Sequence, residues 1–126
     1  MIMGRLFFVV LLVLLFDYTA FAAGTIVLAS WYGGKSSVLE GKLMKNKRPF
    51  RSCDKKIAAH KSLPIGTKLV VINPDNGRWL NMEVQDRKPE DNRPYVNERE
   101  LDVSLAAAES LGFREKGVTE LVLVVR

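Results

Sequence analysis

The chain has 126 residues, 48% of them apolar, and its 19 Lys and Arg outnumber 14 Asp and Glu to give a net charge of +5. This length fits one domain and leaves little room for a second, and the positive charge favours an anionic partner. A single Cys and a single His exclude an internal disulfide and a zinc site built from Cys and His alone.

The first 22 residues have the composition of a secretory signal. Arg5 supplies a positive charge, Leu6–Phe16 is an unbroken apolar run, and Ala20–Ala22 matches the small-x-small pattern that signal peptidase cleaves. The alternative, a membrane anchor, needs an apolar run of about 20 residues, and this run is much shorter. We therefore expect a signal peptide at 1–22 and a periplasmic or secreted domain at 23–126, with no stable membrane anchor after cleavage.

The mature chain begins with a strand and a long loop. Thr25–Tyr32 is β-branched and aromatic and stops at Gly33–Gly34, which is typical of a strand ending in a tight turn. Residues 35–56 show no sustained apolar period and are rich in Lys and Arg, offset only by Glu40 and Asp54. This pattern predicts a basic surface loop, and long loops in compact domains are usually functional or disordered.

A hairpin and a second loop follow. Lys68–Ile72 and Arg78–Val84 have strand composition and flank Asn73–Gly77, where Asn-Gly supplies the positive φ of a tight turn. Residues 86–97 are polar and contain Pro, which predicts another loop. A short strand is expected at Glu100–Val103.

One helix precedes the last predicted strand. Leu105–Leu111 is rich in Ala, Ser104 suits its N-cap, and Gly112 suits a left-handed C-cap. Leu121–Val125 is continuously apolar, which predicts a strand buried on both faces. The chain therefore combines strands with a single helix.

Four clusters carry a resemblance to a known family. They are ASWYG at 29–33, AAHKSLPIGT at 58–67, DR at 86–87 and LDVS at 101–104, the last leading into AAAE at 106–109. In this order and spacing they resemble the rare lipoprotein A (RlpA) family, which is related to the expansin catalytic domain. The resemblance covers nearly the whole mature chain and implies a mainly β fold, a six-stranded double-psi β-barrel with one short helix.

The resemblance also implies an activity, that of a peptidoglycan lytic transglycosylase, which cleaves the glycan strand and leaves a 1,6-anhydro end. This chemistry needs an acid to protonate the glycosidic oxygen and a base to take the proton of an internal sugar hydroxyl. The family associates the work with a Glu in a T-A-N-G-E-like segment, the His of A-A-H and the Asp that opens D-R-G. His60 and Asp86 match the last two and are the expected catalytic residues.

The family Glu is missing. Arg48 falls at its place, and a guanidinium cannot act as a general acid because it does not lose its proton in proteins. Family members reading M-A-N-G-K also lack the Glu, so the chain resembles that subgroup. Glu40 is the acidic residue of the basic loop that could replace the missing Glu, and only its nearness in the sequence suggests this. A second departure from the family is Lys88, which stands where the Gly of D-R-G is expected.

Further residues are candidates for substrate binding. Trp31 and Tyr32 could stack on sugar rings, although a Trp-Tyr pair at a strand end is equally often part of a core. Arg48 and Arg87 could hold anionic groups of the substrate. Asp102 matches a functional Asp of the expansin relatives and could alternatively cap the helix or anchor the sheet.

Structural alternatives remain for the catalytic candidates. Asp86 could cap its loop or pair with Arg87, and a lone histidine such as His60 is often a satisfied core residue. Cys53 is expected to be an incidental thiol. Neither a cofactor nor a metal is expected.

These observations leave two main hypotheses. In the first, the protein is an enzyme that cleaves peptidoglycan glycan strands as a monomer, with Asp86 and His60 sharing the proton chemistry. In the second, the groove holds or loosens glycan without cutting it, as an expansin-like module would. A secreted inhibitor or effector is a third possibility, suggested only by small size, and export disfavours a nucleic-acid partner.

Overall fold

The computed structural model describes residues 24–34, 37–88 and 98–126, so the signal peptide predicted at 1–22 lies outside the described residues. The strands are β1 (Gly24–Tyr32), β2 (Ile57–His60), β3 (Lys68–Ile72), β4 (Trp79–Arg87), β5 (Leu101–Ser104) and β6 (Val118–Val125), and the helix α1 (Leu105–Leu111) joins β5 to β6. Hydrogen bonds close the strands into a barrel in the order β1-β5-β2-β4-β3-β6. The predicted mainly β six-stranded barrel with one short helix is confirmed.

The barrel contains both parallel and antiparallel pairs. The β1–β5 and β2–β4 pairs are parallel, and the other four pairs are antiparallel. β2 lies between β5 and β4, so segments far apart in the chain become neighbours in the sheet. This crossed arrangement brings the family-like clusters together on four adjacent strands.

The core fills the inside of the barrel. Alternate residues of each strand point inward, and the buried cluster contains Val27, Ala29, Ala58, Leu69, Val71, Met82, Val84, Leu101, Val103, Leu121 and Leu123. Ala107, Ala108 and Leu111 of α1 pack against the same cluster, as does Phe113. Each fully buried Leu or Val contributes roughly 1.5–3 kcal/mol relative to an exposed position, which stabilises a barrel without disulfides.

Both predicted helix caps are present. Ser104 is extended (φ −62°, ψ 158°) and its hydroxyl accepts a hydrogen bond from the Ala107 N–H, while Gly112 has φ 80° and donates its N–H to the Ala108 carbonyl. Ser104 also donates its hydroxyl hydrogen to the Asp54 carbonyl, which ties the start of α1 to the loop before β2.

The structure differs from the predicted strands at several places, among them the start of the last strand, which is Val118 rather than Leu121. β2 was not predicted as a strand, because four residues are too few to show an alternating pattern. β4 continues beyond Val84 to Arg87. The prediction that the last strand is buried on both faces is wrong, since Leu121 and Leu123 are buried on one face while Val122 and Val124 on the other face are only half-buried. The outer face of this barrel meets solvent, so its strands alternate even where every residue is apolar.

The described part of the basic loop is ordered by its own apolar contacts. Met44 and Phe50 are buried in a second cluster with Ile57, and Tyr32 packs against it. A β-bridge joins Leu43 to Pro49, so residues 43–49 form a small hairpin outside the barrel. The loop therefore builds a wall on the barrel surface.

In the described ranges 24–34, 37–88 and 98–126, no helix is both long enough and apolar enough to span a membrane.

Candidate active site

Two carboxylates lie side by side on the outer face of the barrel. Asp86 of β4 is the partner of Ala59 on β2, and Ala59 is also the partner of Asp102 on β5. Asp102 is in turn opposite Ser30 of β1. The two Asp Cα atoms are thus two strand spacings apart, about 10 Å, with only a methyl group between them.

A β-bulge directs Asp86 to this face. The β2–β4 register pairs Ala58 with Val84 and then Ala59 with Asp86, so Gln85 is an extra residue on β4. Because Val84 points into the core, strict alternation would turn Asp86 inward as well. The extra residue resets the alternation and leaves Asp86 outside.

The hairpin 43–49 sits on this bulge. The Asn46 N–H donates to the Gln85 carbonyl at 3.1 Å, and the Asn46 amide donates to the Gln85 side-chain oxygen at 3.0 Å. The Lys45 N–H donates to Asp86 Oδ1 at 3.1 Å, and the Arg87 N–H donates to the same oxygen at 2.9 Å. Two backbone N–H groups therefore hold the Asp86 carboxylate, which fits the structural alternative that Asp86 caps its loop. The same carboxylate also faces the groove.

The wall and the strand row enclose a groove of about 320 Å³. Asp86, Asp102 and Ala59 line it together with Arg87 and Tyr32, and the loop contributes Leu39, Lys42, Leu43, Met44 and Phe50. Acidic, basic and apolar groups thus face the same space. A groove with an apolar wall and two carboxylates can bind a sugar ring and exchange protons with its oxygens.

Asp102 has a hydroxyl partner on the neighbouring strand. Ser30, which is buried, donates its hydroxyl hydrogen to Asp102 Oδ1. Ser104 rather than Asp102 caps the helix. The carboxylate therefore lies in the sheet row, with its orientation fixed by Ser30.

Tyr32 closes one side of the groove. Its ring stacks on Phe50 with 4.6 Å between centroids and 19° between planes, so one ring face is covered. The hydroxyl is buried, and it has no hydrogen-bond partner among the described residues. Burial raises the pKa of Tyr32, and the negative charges of Asp86 and Asp102 raise it further. An unpaired buried hydroxyl costs about 1–3 kcal/mol.

Among the described residues, no group of three or more His, Cys, Asp and Glu is arranged to hold a metal ion.

Relatives with curated names match most of the chain. An Aquifex aeolicus protein named probable endolytic peptidoglycan transglycosylase RlpA is 43% identical over 90 residues, which cover 71% of this chain and 36% of the relative. The endolytic peptidoglycan transglycosylase RlpA of Rickettsia prowazekii is 38% identical over 93 residues, covering 74% of this chain and 27% of the relative. The chain carries an RlpA-like double-psi β-barrel domain.

The RlpA-like domain corresponds to only part of those relatives, since it spans about a third of their length or less. No family model matches the chain. Among solved structures, a Clavibacter michiganensis expansin superposes with a TM-score of 0.58 at 22% identity, over 82% of this chain and 50% of the expansin. A Streptomyces papain inhibitor superposes with a TM-score of 0.59 at 18% identity, over 81% and 93%. At these identities the likeness concerns the fold.

His60 lies next to Ala59 on β2 but is not among the residues that line the groove of the RlpA-like domain. The side chain is buried, and Nδ1 accepts hydrogen bonds from the N–H groups of Ser62 and Leu63, each at 3.0 Å. Nδ1 therefore carries no proton, and the neutral ring holds its hydrogen on Nε2, which lies 3.9 Å from the Glu100 carboxylate. This arrangement fixes the turn that follows β2.

The stability of the domain should fall as the pH drops below about 6.5. Burial lowers the pKa of His60 below its ordinary value. The negative charge of Glu100 raises this pKa in part, while the positive charges of Arg87 and Lys61 lower it further. The unfolded chain takes up a proton near pH 6.5 while the folded ring stays neutral, so folding loses up to about 1.4 kcal/mol per pH unit between that pH and the lowered pKa. Denaturant unfolding from pH 7.5 to 5 measures the slope.

His60→Asn is the matched variant for this slope, because it keeps a side-chain acceptor near the position of Nδ1 and cannot titrate. The chain has one His, so no other side chain has an ordinary pKa in this range. We expect the variant to lose the slope between pH 6.5 and 5. An equal slope in both proteins would contradict the assignment.

Arg87 and Trp31 have structural partners. Arg87 lines the groove, but its Nη1 donates to the carbonyls of His60 (3.1 Å) and Leu63 (2.8 Å), which ties the turn after β2 to β4. Trp31 packs against the core, and its Nε1 donates to the Arg114 carbonyl at 3.0 Å. Trp31 therefore matches the core alternative left open by the sequence.

Arg48, which stands at the family Glu position, faces elsewhere. It is exposed and lines a second depression of about 670 Å³ with Asp54, Lys56 and Glu83, whereas Leu43 and Met44 of the same loop line the groove. Position 48 thus lies outside the groove, whose acidic side chains among the described residues are Asp86 and Asp102.

Glu40 stabilises the loop that forms the wall of the groove. Its carboxylate accepts hydrogen bonds from the N–H and the hydroxyl of Ser52, and the Ser52 hydroxyl accepts the Gly34 N–H at 2.7 Å. The Ser52 hydroxyl is the main cause that lowers the pKa of Glu40. A general acid needs a raised pKa, so the structure favours a structural role for Glu40.

Ser52→Ala should loosen the wall. The change removes one donor to Glu40 and one acceptor for Gly34, so we expect trypsin to cleave the Lys-rich and Arg-rich segment 42–56 several-fold faster in the native protein. Ser62→Ala, at an exposed serine, is the control. Equal cleavage rates in the two variants would show that the contacts of Glu40 do not order the loop.

Sequence reasoning missed Ala59, Ser30 and the apolar wall. The AAH run contains Ala59, but its place between two carboxylates follows from the strand order, which the sequence does not reveal. The burial of Met44 and Phe50 could not be predicted, because their segment shows no regular spacing of apolar residues.

Proposed function

We propose that the RlpA-like domain is a peptidoglycan lytic transglycosylase and that Asp86 is its acid and base. The observation that carries the proposal is the pair Asp86 and Asp102 on either side of Ala59 at the floor of one open groove. The names of the RlpA relatives support the same substrate class and reaction.

The first step is the transfer of a proton from the Asp86 carboxyl to the glycosidic oxygen. The bond between that oxygen and the anomeric carbon breaks, and the leaving sugar departs with a neutral hydroxyl. Positive charge develops on the ring that remains, and Asp102 lies across Ala59 to stabilise it.

The second step closes the ring. The internal hydroxyl of the same sugar attacks the anomeric carbon and gives its proton to the Asp86 carboxylate, which restores the starting acid. The product is a 1,6-anhydro end, and no water is consumed. One carboxyl group therefore suffices for both proton transfers, and the loss of the family Glu does not prevent the reaction.

His60 and Arg87 act as positioning residues in this proposal. The His60 ring holds the turn after β2, and the Arg87 guanidinium binds the carbonyls of that turn. Since Arg87 directly follows Asp86, these bonds fix the end of β4. Asp102 contacts the glycan, Tyr32 lines the groove, and Trp31 and Arg48 act outside it.

The proposal places the domain outside the cytoplasm, where peptidoglycan lies. A signal peptide at 1–22 precedes a mature domain at 23–126 that acts as a monomer on glycan strands. The exported protein needs no cofactor for the steps described.

A wall-binding module without cleavage is the second candidate. The observation that favours it is that only two acidic side chains, Asp86 and Asp102, line the groove among the described residues. Such a module would hold glycan in the same groove, as an expansin-like protein would.

Incubation of the mature protein with purified peptidoglycan separates the two candidates. Mass spectrometry of the soluble fraction should detect new 1,6-anhydro ends, from sacculi with stem peptides or from sacculi without them. Intact glycan with the protein in the pellet would reject the enzyme and support the binding module.

A further inference from the structure

The Tyr32 hydroxyl is an unused donor, and the Asp86 carboxylate is an incompletely used acceptor. It is buried, and among the described residues no group accepts its hydrogen. Asp86 Oδ1 accepts two backbone N–H groups, while Oδ2 accepts no hydrogen bond from the described residues. Tyr32 and Asp86 line the same groove.

The ring of Tyr32 cannot easily leave this position. It stacks on Phe50, and both rings belong to the cluster with Met44 and Ile57. On β1 the residue lies two positions beyond Ser30, so it is on the same face as the carboxylate row. Packing therefore holds the ring in place even though its hydroxyl gains no bond from the described residues in the free protein.

We propose that Tyr32 is a positioning residue for catalysis, whose hydroxyl donates a hydrogen bond to Asp86 Oδ2 once Asp86 has given its proton to the glycosidic oxygen. This inference rests on the proposed transglycosylase function and assigns Tyr32 a role other than stacking on sugar. A hydrogen bond to a charged carboxylate is stronger than one to a neutral carboxyl, so this bond stabilises the intermediate more than the protonated enzyme. The negative charges that raise the pKa of Tyr32 agree with a hydroxyl near both carboxylates.

Tyr32→Phe removes the hydroxyl and keeps the stacked ring. We expect kcat on soluble glycan strands to fall about 10-fold or more while KM stays within about twofold, because the lost bond acts through Asp86 after binding. The melting temperature should stay the same or rise, since an unpaired buried hydroxyl has been removed. A merely structural tyrosine would give the opposite pattern, a lower melting temperature with unchanged kcat.

Phe50→Leu is the comparison variant, since it removes the ring stack and keeps the Tyr32 hydroxyl. It should lower the melting temperature, which shows that the assay detects damage to the cluster. Full kcat in Tyr32→Phe, with an active wild-type protein, would overturn the role of Tyr32 and leave the transglycosylase proposal intact. A wild-type protein that forms no anhydro product would overturn both.

Discussion

Asp86→Asn should reduce the release of 1,6-anhydro ends from peptidoglycan by about 100-fold or more, because a carboxamide can neither donate nor accept the transferred proton. The fold should survive, since the Asn side-chain oxygen can still accept the Lys45 and Arg87 N–H groups that now bind Asp86 Oδ1. Mass spectrometry of the products and the far-ultraviolet circular dichroism of the variant measure the two effects.

Asp102→Asn is the matched comparison, since it alters the other carboxylate of the same row. It should lower the rate by a smaller factor, because Asp102 stabilises charge without exchanging a proton in the proposed steps. Undiminished product from Asp86→Asn would refute Asp86 as the acid. A larger loss from Asp102→Asn than from Asp86→Asn would exchange the roles of the two residues.

Ala59→Leu should abolish both cleavage and glycan binding. Ala59 is the floor of the groove between the carboxylates, so a larger side chain there occupies the space of a sugar ring. The added atoms point away from the barrel core and into the groove, so we expect a smaller loss of unfolding free energy than at the core position Ala58. Pelleting with insoluble peptidoglycan measures binding, and denaturant unfolding measures stability.

Ala58→Leu provides the contrast, because Ala58 is fully buried in the core. Overpacking at that position should destabilise the fold by about 1–3 kcal/mol. Glycan binding that persists in Ala59→Leu would place the ligand elsewhere, and the enzymatic and binding hypotheses would both lose their site.

The sequence motifs predicted the fold and much of the groove, because the barrel places the family-like clusters on adjacent strands that line the same groove. Tyr32, Asp86, Arg87 and Asp102 line the groove as a group. Their proximity comes from the crossed strand order, in which β2 lies between β4 and β5. A resemblance to a known family can supply that order, whereas hydrophobic pattern cannot.

The rest depended on details that no pattern contains. Gln85 forms a bulge in a strand whose alternation looks regular, and the extra residue alone decides which way Asp86 points. His60 matches the family motif, yet both of its ring nitrogens face the turn and Glu100. The side-chain partners of a residue depend on the backbone within a few ångströms, which a linear motif does not specify.

The pairing of β1 with β6 also decides how the domain can be tethered. Gly24 and Val124 are partners in that pair, so both ends of the described chain emerge at the same side of the barrel. Tyr32 lies eight residues further along β1, about 26 Å away at 3.3 Å per residue. A linker, a neighbouring domain or an affinity tag joined at either end would therefore leave the groove open to a long polymer. The same barrel could be attached through either terminus without blocking its groove.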